Sequence, residues 1–229
     1  MQLRLVVTTF ILLFLAGCAS TPQAPVTFSV TKFADPNIRV GVAMTPPKRA
    51  DTYFPGANCL LCMAAASAMN SSLTTYTQAL PVDEIATLKS EIAALLRKKG
   101  ATVKIIDEAI DIDGLPKSSL DGTNVAKKDY RQFKTKYDVD KLYVINIQTI
   151  GMLRTYSAYF PTSEPKAVIT GSGFIVNLAD NSYDWFEPIN ILRAAEGKWD
   201  EPPKFPGLTN AYFQAVEASK DSLKKPFTP

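Results

Sequence analysis

The sequence has no histidine among its 229 residues. Without imidazole there is no Ser-His-Asp triad, no Cys-His nucleophile pair and no His-ligated zinc site. Carboxylates, lysines, hydroxyls and thiols are what remain for chemistry. Cysteine is scarce too, at Cys18, Cys59 and Cys62. An excess of charge of one sign is also missing. The net charge of +3 is too small for the clustered basic surface that nucleic acid requires, so no nucleic-acid partner is expected. Finally, the apolar run from Leu5 to Ala16, broken by Thr8 and Thr9, is shorter than the roughly 20 residues of a membrane-spanning helix.

What is present begins with that run. Met1-Gln2-Leu3-Arg4 places one positive charge before it, as in a secretory signal peptide. The run ends in Leu15-Ala16-Gly17-Cys18, with small residues suited to a signal-peptidase pocket. This segment resembles the lipobox of bacterial lipoproteins. The resemblance implies cleavage after Gly17 and acylation of Cys18, palmitate included. Three acyl chains anchor far better than the single chain that binds only marginally. In that family Asp after the cysteine tends to hold the protein at the inner membrane. Ala19 stands here, which implies the outer membrane, with the domain facing the periplasm.

The leader sets the expected organisation: a signal peptide over 1–17, a lipidated amino terminus and tether over 18–36, and one globular domain over 37–229. About 210 mature residues suffice for a core. A content of 46% hydrophobic and 21% charged residues excludes a disordered chain. The Pro, Ser and Thr of 19–36 suggest a tether, and 26–33 an edge strand.

Alternation of Ile38, Val40 and Val42 predicts a strand over 37–44, ended by Pro46 and Pro47. Residues 48–58 read as a loop. The Ala-rich apolar stretch 59–69 predicts a buried helix or helical insertion, and the polar stretch 70–80 carries no clear signal. A helix starting at Pro81 has acids in its first turn. Ile85, Leu88, Ile92, Leu95 and Leu96 form its stripe, and Gly100 closes it. A strand over 103–106, a loop over 107–123 and a helix over 125–137 follow. Residues 141–150 predict a central strand, Gly151 a turn, and 153–160, 166–178 and 183–192 a meander. Residues 195–207 read as a loop, and 208–223 as the last helix.

This order predicts an α/β fold. Right-handed crossovers make the first half of the sheet parallel, and the meander adds antiparallel strands. The expectation is a mixed sheet with helices mainly on one face. The order resembles a group of periplasmic lipoprotein domains that includes the amino-terminal domain of TolB and the curli-secretion and exopolysaccharide-export lipoproteins. That resemblance implies an envelope assembly or export role, in several cases in rings, without catalytic residues. Fold alone does not fix function.

Cys59-Leu60-Leu61-Cys62 is the sharpest motif. With Cys18 acylated, the remaining pair is self-contained in an oxidising compartment. It is either a structural disulfide, the preferred reading, or a redox pair. The redox reading needs Cys59 at a helix amino terminus, where a thiolate is favoured, and Pro165 in the role of the cis-proline of thioredoxin-like proteins. Asn58, where those proteins carry an aromatic, counts against it. Asp107, Glu108, Asp111 and Asp113 invite a calcium reading, but their spacing is not that of an EF-hand loop, and a solvated loop is preferred. Glu164, Glu187, Glu196, Asp200 and Glu201 lie near Trp185, Phe186 and Trp199 in the chain. A glycosidase needs two carboxylates at a defined separation, and no such pair is evident. Trp199 and Phe205 around Pro202-Pro203 could form a partner contact. A pore-forming hairpin over 142–160 is not expected, because neither alternating set of residues is cleanly polar.

The functional expectation is a lipid-anchored envelope protein with a binding or assembly role. It has no cofactor or metal, and it has envelope protein partners and the capacity to form homo-oligomers. A thiol–disulfide oxidoreductase and a subunit of a secretion or polysaccharide-export complex are the alternatives.

Overall fold

The computed structural model describes residues 22–228 apart from positions 34 and 36. Gly17 and Cys18 lie outside the described residues. The described chain forms a single α/β domain around a six-stranded mixed sheet.

Strand β1 (Arg39–Met44) sends Val40, Val42 and Met44 to one face and Ala43 to the other. Pro46 and Pro47 offer no N–H to a ladder, so the strand ends before them. The chain arches out and returns as β2 (Asp51–Tyr53) within the expected loop. Two helices follow, α1 (Leu60–Met69) and α2 (Ser71–Gln78). The helix expected from Pro81 is a short α3 (Asp83–Ala86) leading into α4 (Leu88–Lys98), which buries Leu88, Ile92 and Leu96. Then come β3 (Thr102–Ile105), a long loop, α5 (Gln132–Tyr137) and β4 (Lys141–Leu153). A small hairpin, β5 (Tyr156–Ser157) and β6 (Phe160–Pro161), precedes β7 (Lys166–Asn177) and β8 (Tyr183–Ala194). Helix α6 (Pro206–Lys224) ends the fold, capped by a 3-10 turn over Lys225–Phe227.

The sheet order is β3-β1-β4-β7-β8, with β2 also on β4. β1 lies parallel to β3 and β4, whereas β4, β7 and β8 form the antiparallel meander. β1 and β2 share one edge of β4. β1 pairs from Val40↔Lys141 to Met44↔Ile145, and β2 from Asp51↔Gly151 to Tyr53↔Leu153. β4 is the central strand, as expected. Tyr143, Ile145 and Ile147 face a core shared with α4 and α6. Leu142 and Val144 face a second core, closed by the 106–130 segment and Phe133 of α5.

Five expectations need correcting. Residues 153–160 are not a strand of the meander: β4 runs on to Leu153, and the segment after it folds on itself as the separate β5–β6 hairpin, so β7 pairs directly with β4. Gly151 is not a turn; β4 runs through it, and a Cβ there would collide with the Asp51 carbonyl of β2. The glycine marks a close backbone approach. Residues 125–131 are not helical. Asn181 takes over their backbone groups: Nδ2 donates to the Ala126 and Lys128 carbonyls and Oδ1 accepts the Tyr130 N–H. The segment 26–33 is not a strand; Val26 makes one bridge to Phe186, followed by a 3-10 turn over Val30–Phe33. Finally, α1 is a helix but not a buried one.

Candidate functional site

Helix α1 is apolar on every side, yet among its residues only Cys62 and Ala66 are buried. These lie four apart and so share one helical face. They pack with Phe54, Ala57 and Tyr156 in a small core at the carboxyl end of β4. The rest of the helix projects outward. Leu60 is 88% exposed and Leu61 69%, with Met63 and Met69 also exposed. Beside them the β5–β6 hairpin presents Tyr159 and Phe160, the latter 75% exposed. No Lys, Arg, Asp or Glu occurs between Asp51 and Asp83, so this tip has no charge along the helices that build it.

The tip is firmly mounted. Cys59 and Cys62 are joined in a disulfide. Cys59 is also the N-cap of α1, with Sγ accepting the Cys62 N–H at 2.9 Å. Tyr159 Oη lies 3.8 Å from Cys59 Sγ, which ties the hairpin to the helix start. Behind them Tyr156 packs edge-on against Phe54 at 5.8 Å. Buried Asn70 donates to Tyr156 Oη at 2.6 Å and accepts from Arg154 at 3.0 Å. The Arg154 guanidinium lies over Trp199 at 5.0 Å, and Trp199 stacks on Phe205. Trp199 and Phe205 are thus part of the support and pack against the main core.

The other sequence candidates do not converge. Among the described residues the cis peptide bond is Pro202–Pro203, not the bond before Pro165. Glu108 accepts from Lys136 Nζ and Tyr137 Oη, both at 2.8 Å, and these bonds hold its carboxyl below the usual range. Asp111 accepts the Gly114 N–H in a local turn. Asp111 and Asp113 border an open cleft of about 330 Å³ with Lys48, Asn146 and Gln148, beyond the end of β1. Glu187 lies 3.7 Å from Lys225, while Glu164, Glu196, Asp200 and Glu201 are exposed on loops. Trp185 is buried and stacks on Tyr143. Among the described residues, no three acids or cysteines gather as a metal site. No buried side-chain polar atom among them lacks a partner.

Sequence reasoning missed a polar cluster at the opposite end of β4. Lys141 and Asp184 form a buried ion pair, and Asp184 also receives Lys32 at 2.8 Å. The Lys141 ammonium lies over the Phe33 ring at 4.7 Å. A lysine followed by the apolar run Leu142 to Ile145 at the start of the central strand was the available signal.

No family model and no curated protein matches this chain. Solved structures similar to it include PelC from Paraburkholderia phytofirmans, a dodecamer. It is 8% identical, covers 89% of this chain and 94% of its own, and has a TM-score of 0.35. A protein described as a neuraminyllactose-binding hemagglutinin homologue from Helicobacter pylori is 10% identical. It covers 93% of this chain and 92% of its own, also with a TM-score of 0.35. At such scores these similarities say nothing of what this chain does.

Proposed function

We propose that this chain is an outer-membrane lipoprotein, anchored through Cys18 after cleavage at Gly17, whose periplasmic domain binds another envelope protein without catalysis. The exposed, uncharged tip carries the binding half of this reading. An apolar patch of Leu60, Leu61, Met63 and Phe160 on a rigid mount is the kind of surface that marks a protein contact. The partner surface it fits is apolar and uncharged, since a charge facing it would be desolvated without compensation. The Leu15-Ala16-Gly17-Cys18 motif supports the anchor half.

Two measurements test the reading. Palmitate labelling of the whole chain should be lost in Cys18→Ala; labelling that persists removes the anchor. Crosslinking from intact envelopes should capture a partner protein whose yield falls at least tenfold in Leu60→Ser with Leu61→Ser. An unchanged yield removes the tip as the binding surface. A redox role is the second reading, favoured by the exposed Cys59 at the amino terminus of α1. Insulin reduction by the purified protein, abolished in Cys59→Ser, would establish it in place of the first.

A further inference from the structure

The amino-terminal arm is a strap and not a free tether. Val26 and Phe186 exchange both backbone hydrogen bonds, at 2.9 and 3.1 Å. Lys32 reaches Asp184. The Phe28 ring lies 5.0 Å from Phe33 and 5.5 Å from Phe227. The arm is therefore fixed to β8 and to the carboxyl-terminal turn. Its first described residue, Pro22, borders a groove with Lys117, Leu120, Asp121, Thr123 and Lys127. This groove belongs to the loop that sits on the β7–β8 turn. There Val125 bridges Ser182, and the Ala126 N–H donates to the Asn181 carbonyl.

Residues 19–21 alone separate Cys18 from Pro22. Even fully extended, that stretch spans only about 14 Å. β4, thirteen residues long, separates the β7–β8 turn end from the tip by about 40 Å. A lipid on Cys18 therefore holds the turn end close to the bilayer and cannot reach the tip. From this we infer that the 116–127 loop lies against the phospholipid surface, with the disulfide-capped tip held away from it. The inference rests on the proposed acylation of Cys18. The loop suits that surface: Leu120 is exposed and Lys117 borders the groove, as interfacial segments pair an apolar residue with a cation facing anionic headgroups.

The test uses the full acylated chain in phospholipid vesicles containing brominated lipid, which quenches tryptophan by contact. Leu120→Trp and, as a second reporter, Thr123→Trp are compared with Leu61→Trp, after subtracting the signal of native Trp185 and Trp199. Quenching at positions 120 and 123 at least threefold stronger than at 61 is expected. Equal quenching at both ends, meaning a domain lying flat, overturns the inference, as does stronger quenching at 61 or none at any position. Mass spectrometry of the same preparation separates the two failures. An unacylated chain overturns the anchor and the orientation together, whereas an acylated chain with the wrong quenching pattern overturns the orientation alone.

Discussion

At the amino end of β4 charges are held inside the protein; at its carboxyl end apolar side chains are left outside. Lys141 and Asp184 are both buried in the first region, and Asn181 is buried with every polar atom engaged. In the second, Leu60 and Leu61 face solvent on a helix that buries little but Cys62 and Ala66. Each region departs from the usual partition of residues, and the departures differ in kind. A buried polar group with all its partners fixes one arrangement of the chain. A cluster of exposed apolar groups contributes little to the fold, because its surface stays in water.

Substitutions can break this contrast, and the largest effect belongs to the buried charges. Asp184→Ala leaves the Lys141 ammonium unpaired, and a loss of about 3–5 kcal/mol is expected in urea unfolding. Lys141→Met combined with Asp184→Leu removes both charges and should recover most of that loss; an equally unstable double variant would refute the desolvation argument. Asn181→Ala strips the Tyr130 N–H of its acceptor and puts alanine at φ 60°. About 2–3 kcal/mol should be lost, with faster amide exchange across 126–130.

The tip should respond less. Cys59→Ala with Cys62→Ala opens a ring closed between residues three apart, for which chain entropy gives about 2 kcal/mol. A loss above that figure, in thermal or urea melts, means that the disulfide also braces the hairpin. Leu61→Ser should change stability by no more than about 0.5 kcal/mol while weakening partner capture. A larger destabilisation would place Leu61 among the fold's own contacts and erase the contrast between the two ends.

The helices α4 and α6 were legible because each buries a regular stripe, and β1, β4, β7 and β8 because they read as apolar runs, the first three buried on both faces. The mixed sheet followed from their order. The 125–131 segment was not legible, because its apolar spacing suits a helix, while its backbone is taken up by residues 116–118, Ser182 and the distant Asn181. Gly151 was misread for a related reason: a turn and a close strand approach both demand glycine, and sequence does not say which. In the site, the Cys59–Cys62 pair was legible from spacing. Exposure of α1 was not, since an alanine-rich apolar helix has the same composition whether it is covered or bare. The Lys141–Asp184 pair joins residues 43 apart, and nothing local links them.

The uncharged stretch from Thr52 to Val82 also has a kinetic consequence. Long-range attraction speeds encounter only when both surfaces carry charge. On the proposed reading, a partner docking on this tip would arrive at unsteered rates, on the order of 10⁵–10⁶ M⁻¹s⁻¹. That association would change little with salt, and the lifetime of the complex would set its strength.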